Sequence, residues 1–258
     1  MFYGRPNTIK AYTSLYRNWI QPYVESGDIK GNFLPDLMFK LQGYKPRTIK
    51  AVLRVLDLVL QDQGLPTEKV KKVLYTTSRS SQEDPPKALT FEEASAIMRV
   101  CKEERPEFYP IMLLGLHGLR RGEIFGLKWK DIALESRSFV VCRSYDGQPT
   151  KNGKSRKIPM TGELEKVLRT MYNSDREANL FSRVFNPNHA MKSICIKAGV
   201  RPVSIHSLRH TASVLALESG LSPKIVQSIL GHVSVKTTLD TYWSAIIEFK
   251  DLDMSFLP

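Results

Sequence analysis

The feature that most constrains this chain is the run IHSLRHTASVLALESGLSPKIVQSILGHVSVKTTLDTY at residues 205–242. Gly220 and Gly231 are typical helix ends, and Ser222-Pro223 reads as a helix cap followed by a first-turn proline. Ser234 can cap a further short helix. The run therefore predicts three successive helices separated by tight turns.

Polar side chains recur at the ends of these predicted helices. His206 and Arg209 are three residues apart and share one helical face. His232 follows directly on a helix-ending glycine, and Tyr242 falls in the third helix. Taken alone, a His-x-x-Arg pair is more often an ordinary surface or capping pair, and a tyrosine near a C-terminus is more often a packing residue. Groups at helix ends can nevertheless converge on one anion.

The charge of the chain favours a polyanionic partner. The net charge is +12, with 14 basic and 8 acidic residues before Ala88 and 24 basic and 18 acidic residues from there on. Basic surface attracts phosphate backbones, although many basic proteins bind no nucleic acid. Because both halves carry the same excess, we expect both to contact one polyanionic ligand.

The three cysteines and the hydropathy favour a soluble protein of a reducing cytoplasm. Cys101, Cys142 and Cys195 are odd in number and lack the paired spacing of disulfides or zinc ligands. No apolar run is long enough to cross a membrane, and no signal-peptide core is present. We expect a cytoplasmic, nucleoid-associated protein that does not contact membranes.

The first part of the chain predicts a small helical bundle. Apolar periodicity and helix-ending glycines place helices at residues 7–25, 34–42, 45–63 and 66–75. Residues 1–75 are therefore expected to form a helical DNA-binding domain. Its candidate DNA contacts lie at the start of the third helix, where a merely solvated helix end is equally compatible: Lys45, Arg47 and Lys50.

The remainder predicts a mainly α domain with a small β-hairpin, an α+β fold. Residues 76–88 are polar and contain Pro85-Pro86, which is typical of a linker. A capping box of Thr90 and Glu93 opens the domain expected at residues 89–258, which includes a C-terminal tail. Further predictions are an apolar helix at 110–117, strands at 138–142 and 154–160 joined around Asn152-Gly153, and a loop at 185–188.

Four motifs in chain order resemble those of the tyrosine recombinase (phage integrase) family. The stretch HGLRRGEIFGLKWKDI is similar to the first box of the family and KNGKSRKIPM to its lysine hairpin. HSLRH and LGHVSVKTTLDTY match the second box. The resemblance covers residues 88–243, and the N-terminal bundle is similar in size to the core-binding domain of the family. The matching catalytic positions are Arg120, Lys151, His206, Arg209, His232 and Tyr242.

The resemblance leaves two assignments open and implies a domain layout. Arg121 adjoins Arg120, and Lys154 and Lys157 flank the same hairpin as Lys151. His210 adjoins Arg209 but points about 100° away on a helix, which favours a structural role. Some family members carry an arm-binding domain ahead of the bundle, and we expect none here because the chain begins close to the first predicted helix.

The chemistry implied by the resemblance explains these residue types. Phosphodiester exchange passes through a five-coordinate state whose non-bridging oxygens gain negative charge, which Arg120 and Arg209 would clamp. Tyr242 would be the nucleophile; ionising a phenol of pKa ~10 at neutral pH costs roughly 4 kcal/mol, which a base such as His206 would offset. His232 would donate to a non-bridging oxygen, and Lys151 would protonate the departing 5′-oxygen. The product is a 3′-phosphotyrosyl bond, and forming and resealing it is expected to need no metal, no ATP and no other cofactor.

The expected function is therefore site-specific DNA recombination. The expected partners are double-stranded DNA with specific sites, three further copies of the chain in a DNA-bound tetramer, and in some systems an accessory directionality factor. A type IB topoisomerase uses similar residues, and a DNA-binding regulator with an inactive site is an alternative of a different class. The apolar tail after Tyr242 is compatible with packing on its own domain or on a neighbouring protomer.

Overall fold

The computed structural model describes residues 2–79, 88–150, 152–181, 187–231, 234–236 and 238–239. The chain divides into two units, Met1–Glu83 and Asp84–Pro258. Both units are described below on their own.

The first unit is a bundle of helices around an apolar core. Its longest helix buries one apolar stripe, because its leucines and valines recur at helical spacing. Val52, Leu53, Val55 and Leu56 on that helix are fully buried in the same core cluster as Ile20. The helices of this unit are α1 (Pro6–Leu15), α2 (Gln21–Glu25), α3 (Leu34–Lys40), α4 (Pro46–Asp62) and α5 (Glu68–Arg79).

Two features of this unit differ from the sequence prediction. The helix predicted at 7–25 is interrupted by a π-helical turn at Tyr16–Ile20, which separates α1 from α2. The last helix was expected to end at Tyr75 but continues to Arg79, inside the range predicted as linker. Gly27 ends α2 in the left-handed region, with φ of 81°, as predicted.

The second unit packs its helices around one apolar helix. That helix, α7, is apolar on all sides, and every residue from Tyr109 to Gly115 is buried. Helix α11 packs closely on it, since a Cβ added at Gly115 would lie 3.0 Å from Leu208 Cδ1. The helices of this unit are α6 (Phe91–Glu104), α7 (Tyr109–Leu116), α8 (Arg121–Ile124), α9 (Gly162–Thr170), α10 (Pro187–Lys197), α11 (Ile205–Glu218) and α12 (Pro223–Leu230).

A three-stranded antiparallel sheet accompanies these helices. Its order is β1 (Ile132–Ala133), β2 (Ser138–Val141) and β3 (Arg156–Pro159), and Val141 pairs with Arg156. Strand β1 was not predicted. The link between β2 and β3 is longer than a tight hairpin, because a 3₁₀ turn at Tyr145–Gly147 precedes the Asn-Gly turn.

Local capping chemistry agrees with the sequence prediction at several helix ends. Thr90 Oγ1 accepts from Glu93 N at 3.1 Å, and Thr90 N donates to Glu93 Oε2 at 2.9 Å, which completes the capping box. Ser222 Oγ accepts from Ile225 N at 3.4 Å, and Gly231 ends α12 with φ of 65°. The loop predicted at 185–188 is wrong for residues 187 and 188, because α10 begins at Pro187, and residues 185 and 186 lie outside the described residues.

The fold class is therefore the predicted one, mainly α with a small sheet. None of the helices in the described ranges has the length and apolar character needed to span a membrane.

Candidate active site

Arg209 is the most deeply buried cation of the candidate site. Its helix, α11, is capped by Ser204, whose hydroxyl accepts from Ser207 N at 3.2 Å. The Arg209 side chain is 4% exposed and donates through Nη1 to Gly118 O. Its Nη2 is buried and has no hydrogen-bond partner among the described residues. An unsatisfied buried donor of this kind is expensive unless an anion occupies the site.

Burial and neighbouring cations act on the charge of Arg209. Desolvation, followed by the Arg120 guanidinium, lowers the pKa of Arg209 to about 9, while Glu123 opposes the shift. The group therefore still carries its positive charge at neutral pH. A desolvated cation with a donor to spare is suited to binding phosphate.

Arg120 is held in place by the carboxylate of Glu123, one turn further along. Arg120 N donates to Glu123 Oε2 at 2.9 Å, and Arg120 Nη1 donates to Glu123 Oε1 at 2.8 Å. The Arg120 side chain is 24% exposed, so its guanidinium borders solvent. Arg121, the alternative for the same role, is exposed and begins α8. The geometry therefore favours Arg120 over Arg121 as the partner of Arg209.

Glu123 receives donors from a second arginine, which the sequence analysis did not single out. Arg156, in β3, donates through Nη2 to Glu123 Oε2 at 2.7 Å and through Nη1 to Glu123 Oε1 at 3.1 Å. Burial by itself raises the pKa of Glu123, but hydrogen bonds and charge from Arg156, with a smaller effect from Arg120, bring it below the ordinary value. The i,i+3 spacing of Arg120 and Glu123 could have identified Glu123 as a partner of Arg120, but it does not point to Arg156.

His206 lies in the first turn of α11, on the same side of the helix as Arg209. Its side chain is exposed. Desolvation lowers its pKa, and the nearby charges of Arg209 and Arg120 lower it further. Because the pKa of the ring lies below the ordinary value of 6.5, the ring is mostly neutral at pH 7 and can accept a proton. The structure thus brings Arg120, His206 and Arg209 into one electrostatic neighbourhood.

Three of the predicted site residues lie outside the described residues: Lys151, His232 and Tyr242. Their described neighbours meet each other. Asn152 Nδ2 donates to Gly231 O at 2.7 Å, so the residue after Lys151 contacts the residue before His232. Arg120 Nη2 also approaches Gly231 O, at 3.5 Å. Ser234 Oγ accepts from Lys236 N at 3.1 Å, in agreement with its predicted capping role.

The alternatives near these residues are also placed. Lys154 and Lys157 are exposed on either side of β3's first residue. His210 is partly buried, and its Nε2 has no hydrogen-bond partner within the described part of the chain. Desolvation and then Arg201 lower the pKa of His210. His210 thus differs from His206 in the cation that most affects it.

The candidate DNA contacts of the first unit lie at the start of α4. Lys45 precedes the helix in extended conformation, and Arg47 and Lys50 lie in its first turns. Arg54 extends the same helical face at spacings of seven and four residues, and it is exposed. The sequence analysis missed Arg54, although the i,i+3,i+7 spacing of Arg47, Lys50 and Arg54 could have identified it.

The described residues offer no cluster of three or more histidine, cysteine or acidic side chains that could hold a metal ion. The three cysteines are free thiols, and Cys101 and Cys195 are buried. Desolvation raises the pKa of Cys101 to about 12, so this thiol stays protonated and unreactive at neutral pH.

Comparison with known proteins identifies the family of the chain. The model of the phage integrase family matches residues 87–246, more than half of the chain. The chain belongs to this family, the tyrosine recombinases.

Particular relatives extend the similarity beyond that domain. The chain is 30% identical to tyrosine recombinase XerA of Pyrococcus furiosus over 254 residues, which cover 90% of this chain and 82% of that protein. XerA of Pyrococcus horikoshii is 29% identical over 247 residues, covering 90% and 81%. Among solved structures, the Tn1549 transposon integrase in complex with transposon right end DNA has a TM-score of 0.72 at 23% identity, covering 93% of this chain and 90% of that one.

Proposed function

We propose that this protein is a site-specific DNA recombinase that breaks and rejoins DNA through a 3′-phosphotyrosyl intermediate. The observation that carries the proposal is the buried Arg209, whose Nη2 lacks a partner among the described residues and which lies beside Arg120 and His206. Two guanidiniums and a neutral imidazole are the groups required to bind a phosphodiester and deprotonate an attacking hydroxyl. The Tn1549 neighbour, solved on DNA, supports the same substrate class.

In this mechanism each residue has one task. Arg120 and Arg209 neutralise the non-bridging oxygens as negative charge develops on them. His206, neutral at pH 7, takes the proton of the nucleophile. Tyr242 attacks the phosphorus and forms the 3′-phosphotyrosyl bond, while the 5′-oxygen departs with a proton from Lys151. His232 donates to a non-bridging oxygen.

The charge of the transition state is neutralised by arginine in this scheme, so neither metal nor ATP takes part. The phosphotyrosyl bond conserves the energy of the broken phosphodiester. Religation by the 5′-hydroxyl of another strand then exchanges the partners.

The decisive experiment is a search for the covalent adduct. Purified full-length chain is incubated with a nicked DNA site in excess EDTA and without ATP, and the products are separated in SDS. We expect an adduct with the wild-type chain and none with Tyr242→Phe, at nearly unchanged DNA affinity. Absence of the wild-type adduct would favour a DNA-binding regulator, and an adduct formed on any sequence would favour a type IB topoisomerase.

The role of Lys151 is tested by changing the leaving group. An alkoxide needs a proton to depart, whereas a thiolate does not. Lys151→Ala is expected to cleave normal DNA about 10²–10⁴-fold more slowly. On DNA with sulfur at the 5′-bridging position, it should approach the wild-type rate. Rescue of Lys154→Ala instead would move the acid to Lys154.

DNA contacts in the first unit come from the exposed basic face of α4. Lys45, Arg47 and Lys50 open this face, and Arg54 continues it by one turn. Backbone phosphates follow one another along a groove, and a row of cations on one helical face can contact several of them. Binding to DNA would also localise the protein to the nucleoid.

The proposal includes a tetramer of the chain assembled on the DNA sites that are exchanged. The tail after Tyr242 is rich in apolar residues. The second unit has an apolar pocket of about 310 Å³, lined by residues that include Leu116, Met160, Ala216 and Ile229, and in this proposal it receives the tail of a neighbouring protomer. Truncation after Ser244 should spare binding to a half-site and weaken cooperative binding to a full site. Unchanged cooperativity would place the tail on its own domain.

A further inference from the structure

Arg156 occupies an unusual position for a residue at the start of a strand. Its side chain is 10% exposed. Two of its nitrogens engage the two oxygens of Glu123, at 2.7 Å and 3.1 Å, and Nε donates to Ile229 O at 2.7 Å. One guanidinium therefore joins three elements of the second unit: β3, the helix of Glu123 and the end of α12.

The first of these contacts acts on Arg120. Glu123 is 2% exposed and accepts two hydrogen bonds from Arg156 and two from Arg120. A carboxylate has about four lone-pair sites, so these four donors fix its orientation. The rotation of Glu123, and with it the direction of the Arg120 guanidinium, thus depends on Arg156.

The second contact acts on the turn that precedes His232. Gly231 adopts a left-handed conformation with φ of 65°, and a Cβ placed on it would lie 3.0 Å from both Cδ and Nη1 of Arg156. The chain thus turns directly over the Arg156 side chain. Asn152, from the same β2–β3 link, donates to Gly231 O at 2.7 Å.

We propose that Arg156 is a positioning residue that sets Arg120, through Glu123, and the turn before His232 in one register with the lysine hairpin. The proposal rests on the recombinase function proposed above. Arginine is required because its planar fork satisfies Glu123 while Nε reaches a third acceptor. A lysine has one nitrogen at the end of a flexible stem and cannot hold both elements in that geometry.

The alternative is that Arg156 only stabilises the folded unit as a buried ion pair. The two roles differ in single-turnover cleavage of a nicked suicide site at saturating protein. A residue that only stabilises the fold changes the amplitude of adduct formation, because the folded fraction retains its rate constant. A positioning residue lowers the rate constant of the folded fraction. A misplacement of about 1 Å at a site of this kind can cost about 10²-fold.

The test compares Arg156→Lys with Arg143→Lys. Arg143 forms a partly buried ion pair with Asp131 in the same unit and is thus a matched control without a contact to Glu123. We expect Arg156→Lys to lower the cleavage rate constant about 10–100-fold at unchanged DNA affinity, and Arg143→Lys to leave it within about threefold of wild type. A rate constant for Arg156→Lys within about threefold of wild type would overturn the proposal.

A second variant covers the case in which Arg156→Lys fails to fold. Asn152→Ala removes only the partly exposed contact to Gly231 O. We expect a severalfold lower rate constant at full amplitude, and a wild-type rate constant would contradict the register argument. If the wild-type chain forms no adduct, the proposed function fails, and the assignment of Arg156 fails with it for that separate reason.

Discussion

The first unit fills its interior with apolar side chains, whereas the second unit also buries ions. Among the described residues of the first unit, every buried side chain is apolar or aromatic apart from Thr67. The second unit buries charged groups on Glu123, Asp131, Glu165 and Arg209. Burying a charge is costly and seldom adds net stability. Under the proposed function, Glu123 and Arg209 serve the chemistry, whereas Asp131 and Glu165 form ion pairs with other arginines of the second unit. The first unit presents its charges to solvent and, as proposed, to DNA.

The largest effect that could break this contrast is expected at Arg209. If the buried ions serve chemistry, Arg209→Ala should lower the cleavage rate constant about 10²–10³-fold, the usual effect of removing a donor to developing negative charge. Its DNA affinity should change by a few-fold at most. Single-turnover cleavage and a binding titration measure the two quantities. The control is Arg121→Ala, because Arg121 is exposed, and this variant should retain both the cleavage rate constant and the DNA affinity.

Stability provides the next test, because Glu123 and Glu177 each pair with at least two cations but differ in exposure. Glu123→Gln removes the charge that its arginines share and should lower the free energy of unfolding by about 3–5 kcal/mol. Glu177, which is 63% exposed and pairs with Lys128 and Lys130, should tolerate Glu177→Gln with no measurable change in the free energy of unfolding. Urea titrations of both variants provide the comparison.

The pH dependence of this difference follows from the lowered pKa of Glu123. A carboxylate with a lowered folded pKa stabilises the protein above its ordinary pKa of 4.5, and this contribution is lost as pH falls through the folded value. The stability gap between wild type and Glu123→Gln should therefore narrow on acidification below pH 4.5. A gap that stays constant would show that packing, not charge, is lost.

A smaller effect is expected from the charges of the first unit. Replacing Arg47, Lys50 and Arg54 by glutamine should weaken DNA binding and reduce the dependence of log Kd on log salt by about one for each lost phosphate contact. The cleavage rate constant at saturating DNA should stay within a few-fold of wild type. A lowered rate constant at saturation would mean that the first unit also takes part in the chemistry.

The smallest effect is a difference in acid sensitivity between the units. The first unit contains no histidine, whereas burial lowers the pKa of His117, His206 and His210 in the second. When burial lowers the pKa of a histidine, the folded state favours the neutral ring and protonation favours unfolding. The folding stability that depends on the neutral ring is therefore fully present above pH 6.5 and is lost as the pH falls below that value. Amide protection factors, corrected for intrinsic exchange, should fall in the second unit alone between pH 7.5 and 5.5. An equal fall in both units would remove the distinction.

Local rules in the sequence predicted most of the helices, whereas the site positions came from the family resemblance and stay predictions. Caps, glycine stops and apolar periodicity act within a few residues, so Thr90, Ser222 and Gly231 could be read directly. The π-helical turn could not, because it depends on how the bundle packs. The Arg156–Glu123 pair could not either, since its partners are 33 residues apart and meet only after β3 and α8 are in place. The same limit left strand β1 unpredicted, because its pairing with β2 is what defines so short a strand.

Several of the fixing contacts of the candidate site end on the main chain. Arg209 donates to the carbonyl of Gly118, Arg156 to that of Ile229, and Asn152 to that of Gly231. A mutation at Ile229 exchanges a side chain but leaves the carbonyl oxygen in place, provided the helix still ends there. The acceptor of each contact therefore depends on the path of the backbone and not on the identity of a side chain. Contacts of this kind tolerate changes in sequence wherever the backbone keeps its path.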